Sequence, residues 1–158
     1  MVLISAQNNL YLSSHNFFQL NLTQLKDQAL LNIKFLTPFV NSRSISTLKN
    51  TLNLKLPSIF EHKCFNDNNL PFSREALNTE LGHLYEHILI EYIHQFKKKN
   101  QFPGLVVKGV TSWNWNISPK GAFEIVINSS DEDLFILREA ILKTNTLMSY
   151  IFKQEFAN

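Results

Sequence analysis

Glycine is scarce in this chain: four residues among 158, none of them close together. A phosphate-cradling loop needs several glycines in a short run so that the backbone can approach the anion, so phosphate-loop chemistry is excluded. Cysteine is scarcer still. Cys64 is the single one, which rules out an internal disulfide. No stretch approaches the ~18 consecutive apolar residues of a membrane-spanning helix. Met1 to Ser5 has neither the basic start nor the long apolar run of a secretory signal, and a cytoplasmic location is expected. The net charge of +2 is too small to argue for nucleic acid. What remains is 44% hydrophobic and 18% charged, the balance of a folded domain and not of a disordered segment. A chain of this length can bury a full core.

Against this background one stretch stands out. His83-Leu84-Tyr85-Glu86-His87 reads H-x-x-E-H, and Glu91 extends it to H-x-x-E-H-x-x-x-E. This is the order of the inverted zinc-hydrolase motif. Two imidazoles at i and i+4 on a helix can grip one divalent ion, and a carboxylate between them can activate a water. Proline is absent from Arg74 to Phe102, and apolar residues recur with helical spacing from Leu77 to Phe96. We expect a helix from about Ser73 to Lys99 with an internal break at Asn78-Thr79. At about 100° per residue, His83, His87, Glu91 and His94 fall in a stripe about 80° wide. Leu81, Leu84, Tyr85, Ile88, Leu89, Tyr92 and Phe96 cover most of the other side. A helix apolar nearly all round is usually buried, and burying several unpaired ionisable groups would cost several kcal/mol. The seam therefore needs partners or a metal. Lys97-Lys98-Lys99 suits the C-terminal end of such a helix, where cations interact favourably with the dipole.

The spacing assigns roles. His83, His87 and Glu91 are expected to hold the ion, zinc or another divalent metal. Glu86, offset to the other flank, is expected to act as the general base. Cys64 reads first as a small buried thiol and second as a soft ligand. His15 and His94 read as structural or surface histidines, although His94 lies on the stripe.

Upstream, Leu56-Pro57-Ser58-Ile59-Phe60-Glu61-His62-Lys63-Cys64 is followed by Phe72 and Arg74 and then by the Gly82-His83 helix. From about Leu56 to Tyr92 the chain resembles the N-terminal domain of cyanophycin synthetase, with its L-P-x-L-x-x-H-x-C-like segment and G-H-x-x-E-H-x-x-x-E helix. Thr79 is the counterpart of that family's threonine, whereas Leu70-Pro71 stands where the family carries a glycine pair. The resemblance implies a metal-dependent site that cuts cyanophycin, a polyaspartate bearing arginine on its side chains, to make primers. His62, which fits the family segment, is expected to contact substrate or the metal shell; Arg74 is expected to hold a substrate carboxylate, since a guanidinium can bind one bidentately, with a surface ion pair as the alternative. Nothing of the synthetase's ATP-grasp or ligase-like parts is present, so a free-standing relative of that one domain is expected. Two other functions fit the residues: a non-catalytic module that binds polymer or a partner chain, and a lyase or isomerase that uses H-x-x-E-H with Cys64 as a ligand.

Residues 1–158 are expected to form one compact α+β domain, mainly an antiparallel sheet packed against helices, with the metal motif on a central buried helix. Strands are expected at Val2–Ala6, Asn9–Leu12, Phe17–Leu22, Leu105–Val110 and Ala122–Asn128. Asn116 to Gly121 should connect the last two. Helical spacing predicts a helix from Thr23 to Phe35, ended by Thr37-Pro38, and a final helix from Asp131 to about Phe152. Ser44–Ser46 and Leu52–Leu56 give weaker signals. Trp113 and Trp115 read as strand packing, or alternatively as the wall of a groove.

Overall fold

The computed structural model describes the backbone of residues 9–14 and the whole of residues 16–64, 70–102 and 107–157. The expected strand at Val2–Ala6, His15 and the turn around Pro103-Gly104 lie outside them. Five strands form one antiparallel sheet in the order β1-β2-β3-β5-β4: β1 (Asn9–Ser14), β2 (Phe18–Gln24), β3 (Gln28–Phe35), β4 (Gly109–Ser112) and β5 (Ala122–Asn128). Between β3 and β4 the chain leaves the sheet. It forms α1 (Leu48–Lys55), a 3-10 turn at Pro57–Glu61, a short α2 (Phe72–Glu75) and the long α3 (Leu81–Lys99). After β5 comes α4 (Leu134–Ala157). This is the expected α+β arrangement, with the H-x-x-E-H motif on a buried helix.

The alternation along the strands sets which face the helices cover. Phe18, Leu20 and Leu22 of β2, Ala29, Leu31, Ile33 and Phe35 of β3, and Phe123, Ile125 and Ile127 of β5 are all buried. Gln19, Asn21, Asn32, Lys34 and Glu124 face the other way and are exposed. An antiparallel sheet tolerates one wetted face. The core lies between the apolar face and the helices, and α3 approaches the sheet closely at Gly82, where an added Cβ would fall 2.4 Å from the Phe123 ring. Tyr85, fully buried, donates to Asn145 Oδ1 at 2.7 Å and ties α3 to α4.

The sequence expectation of a helix over Thr23–Phe35 is overturned. Thr23 and Gln24 end β2, residues 25–27 turn, and Gln28–Phe35 is β3, in register with both β2 and β5. The apolar residues there satisfy a period of two as well as a helical one, and pairing between two neighbours decided for the strand. The turn carries no glycine or proline to mark it. The other departures are smaller. Ser42–Ser44 is a 3-10 turn, Leu52 to Lys55 belongs to α1, and Leu56 is its cap. The strand expected from Leu105 is described only as β4, Gly109–Ser112. The last helix runs past Phe152 to Ala157. The break expected at Asn78-Thr79 is real and separates α2 from α3.

Candidate metal centre

Three segments converge on the seam of α3. The break before the helix is pinned by a reciprocal pair: Ser42 N–H donates to Thr79 O at 2.7 Å, and Thr79 N–H donates to Ser42 Oγ at 2.9 Å. This fixes Thr79, whose Oγ1 lies 2.8 Å from His83 Nδ1. The 3-10 turn Pro57–Glu61 carries Ser58 and leads into His62 and Cys64. His62 O accepts from Phe72 N–H at 3.0 Å, which holds this segment against α2. Phe72, fully buried, stacks on the His87 ring with centroids 3.8 Å apart and fixes its plane. From the sheet side, β4 brings Gly109 and Thr111 against Glu86.

Two groups of metal-capable side chains result. In the first, Cys64 Sγ lies 3.3 Å from His83 Nε2, and His83 Nε2 lies 3.2 Å from His87 Nε2. In the second, His62, Glu91 and His94 come together. Glu91, expected as the third ligand beside His83 and His87, is in the other group. Its carboxylate lies 2.7 Å from His62 Nε2 and accepts from Ser58 Oγ and from Gln95 Nε2 at 3.0 Å. Cys64 occupies the place expected for it. The physical reason is reach: Glu91 sits one turn beyond His87, and its carboxylate turns to donors on the Pro57–His62 segment.

The first group fits a tetrahedral ion. Zinc–nitrogen bonds of about 2.0–2.1 Å and a zinc–sulfur bond of about 2.3 Å place neighbouring nitrogens about 3.3 Å apart and sulfur about 3.5 Å from nitrogen. The observed separations of 3.2 and 3.3 Å are within a few tenths of an ångström of these values. One sulfur and two imidazoles are a borderline-soft set suited to zinc, and three protein ligands leave a fourth position open. His87 is kept neutral, as a ligand must be. Burial, then the neighbouring His83 and His62, lower its pKa to about 2.

Glu86 is 5% exposed. Desolvation raises its pKa above the ordinary carboxylate value, opposed by a hydrogen bond from Thr111 Oγ1 and by nearby His83. Gly109 makes room for it, since a Cβ there would fall 2.8 Å from Glu86 Cγ and 2.9 Å from Oε1. Glu91 shifts the opposite way. Its bond with His62 is the chief reason its pKa drops to about 2, with Ser58 and Gln95 adding to it against desolvation.

The remaining candidates are placed as follows. Both ring nitrogens of His62 face protein groups, His87 Nδ1 at 3.1 Å and Glu91 Oε2 at 2.7 Å, so neither is left for substrate. Arg74 is exposed on α2, two residues from the Phe72 that packs on His87. His94 is exposed. Trp113 and Trp115 lie beyond the end of β4, each 5.6 Å from the Phe123 ring. Trp113 also lines a groove of about 520 Å³ on the open face of the sheet, away from the histidines. Ser58, Phe72 and Thr111 were not anticipated in these roles, and nothing in the sequence links Thr111 to Glu86. No helix among the described residues is long and apolar enough to cross a membrane. No family model, curated protein or solved structure matches this chain.

Proposed function

We propose that this protein is a metal-dependent amide hydrolase whose ion is held by Cys64, His83 and His87, with Glu86 as general base. The observation that carries this reading is the approach of His83 Nε2 to both Cys64 Sγ and His87 Nε2 at the spacing of a tetrahedral site, with ligand atoms of all three within 4.8 Å of one another, beside a buried carboxylate whose pKa is raised. A divalent ion there, zinc by the ligand chemistry, would supply Lewis-acid polarisation of the scissile carbonyl and lower the pKa of water. The chain's own residues do the rest. Glu86 takes a proton from the attacking water and returns it to the leaving amine, and its raised pKa brings it nearer the working pH. Thr111 holds one Glu86 oxygen in place. Phe72 stacks on His87 and keeps water from that side of the ring. Arg74, exposed at the edge of this segment, binds a substrate carboxylate.

The resemblance over Leu56 to Tyr92 supports cyanophycin, or a similar aspartate-rich polyamide, as the substrate. Primer production is the corresponding role. A lone thiol used as a ligand suits a reducing compartment, so we place the protein in the cytoplasm.

Release of new amines from cyanophycin by the zinc-loaded protein, abolished by a chelator and restored by zinc, is the expected result. Plain polyaspartate should be cut much less, because the arginine branches offer binding energy that can be used in the transition state. Zinc uptake without cleavage of either polymer would favour a non-catalytic binding module. The thiol in the ligand set also favours a second reading, the H-x-x-E-H lyase or isomerase. Cleavage of a thioether substrate with no release of amine from either polymer would establish that reading instead.

A further inference from the structure

The second group on α3 has a role of its own, and hydrogen-bond bookkeeping defines it. An ionised carboxylate only accepts, so the 2.7 Å contact between Glu91 Oε2 and His62 Nε2 puts a proton on His62 Nε2. With His62 as a neutral imidazole, which has one N–H, its Nδ1 is left as an acceptor. His62 Nδ1 lies 3.1 Å from His87 Nδ1. Two ring nitrogens bond only if one donates, so this assignment puts the proton on His87 Nδ1. His87 Nε2 then carries a bare lone pair, and it is this atom that faces His83 Nε2 at 3.2 Å.

We propose that Glu91 and His62 form a relay that fixes the tautomer of His87 and presents its Nε2 lone pair to the ion. Both are positioning residues: Glu91 acts through His62, and His62 acts through His87. The inference rests on the metal reading above and extends it, because it gives Glu91 a place in the centre without making it a ligand. The geometry also separates the relay from a second metal site at His62, Glu91 and His94. The 2.7 Å separation of His62 and Glu91 is that of a charge-assisted hydrogen bond. Ligand atoms around one tetrahedral ion stand about 3.3 Å apart.

The test uses the full chain with nitrogen-15-labelled histidine. Long-range proton–nitrogen correlation spectra should show His87 as the Nδ1–H tautomer and His62 as the Nε2–H tautomer, both before and after zinc is added. A proton on His87 Nε2 in the metal-free protein, or a doubly protonated His62 in the zinc form, would overturn the relay. Zinc affinity, measured by competition with a chromophoric chelator, gives an independent arm. Glu91→Ala and His62→Ala should each weaken binding ~10–100-fold, the usual effect of losing a group that orients a ligand. Glu91→Gln keeps a carbonyl acceptor for His62 Nε2–H and should lose less than ~10-fold. If Glu91→Gln lost as much as Glu91→Ala, Glu91 would be a direct ligand and the relay would be wrong. Wild-type protein that took up no zinc would sink the metal reading and the relay together. Zinc uptake with the wrong tautomers would sink the relay alone.

Discussion

Two triads of metal-capable side chains share the seam of α3, and they are built differently. Cys64, His83 and His87 turn ligand atoms toward one another at 3.2 and 3.3 Å. His62 and Glu91 form a hydrogen-bonded pair that Ser58 and Gln95 complete, and His94 beside them is exposed. Residue types and helical spacing are similar in the two groups. What separates them is saturation. The Glu91 carboxylate is met by three donors, whereas in the first group two imidazole nitrogens and a sulfur, all able to ligate a metal, face one another. On the proposed reading the first group holds the ion, and the second holds the first in place.

Removing ligands should break this contrast most sharply. His83→Ala, His87→Ala or Cys64→Ala should reduce zinc content to near zero, because two side chains do not replace three in a stable site. His94→Ala should leave it full. Elemental analysis beside circular dichroism checks both, the latter because metal binding and folding can be linked. Equal loss in all four variants would merge the two triads into one.

Glu86→Gln keeps size and polarity but removes the base. We expect zinc retained and turnover reduced ~10²-fold or more, measured as amine release. Unchanged turnover would remove Glu86 from the chemistry.

A smaller effect is expected from Gly109→Ala. Its Cβ would meet Glu86 and the Ile127 side chain, each within 2.9 Å. Displacing the base while sparing the ligands should lower turnover by about 10-fold, given how steeply rates depend on positioning, with zinc affinity unchanged. A parallel loss of zinc would mean that β4 supports the whole centre.

The two triads also share a pH signature in the metal-free protein. His87 has its folded pKa lowered from 6.5 to about 2. Between those values the unfolded chain binds a proton that the folded chain does not, so stability is full above 6.5 and is lost as pH falls toward 2. Glu91, lowered from 4.5 to about 2, adds loss in the same direction below 4.5. Glu86 is raised and acts oppositely: its contribution is present below 4.5 and lost as pH rises through its folded pKa. Because Glu86 opposes His87 just above pH 4.5, the test is the difference between proteins: as pH drops from 6.5 toward 4.5 the wild-type urea midpoint should lose ground relative to that of His87→Gln. A wild-type-minus-variant difference that did not change with pH would show that His87 is not held neutral by burial.

Much of the helix side of this molecule was legible in the sequence. A seam of His and Glu between Leu, Tyr and Ile on α3, the break before it and the upstream His62-Cys64 segment all carry local signals. The sheet was less legible. Leu30, Leu31 and Ile33 satisfy two periodicities, and only the partners β2 and β5 decide between them. The division of the seam into two triads was illegible for a related reason. Helical geometry puts Glu91 on one stripe with His87, but His62 and Ser58, far away in sequence, draw its carboxylate aside. Spacing on a helix states which side chains share a face. It does not state which of them a distant segment will satisfy first.

X-ray absorption at the zinc edge of the zinc-loaded full chain tests the central claim most directly. The assignment of Cys64, His83 and His87 predicts one sulfur at about 2.3 Å with nitrogen or oxygen neighbours at about 2.0–2.1 Å in a four-coordinate shell. A shell of nitrogen and oxygen alone would contradict it and return Glu91 to the ion in place of Cys64.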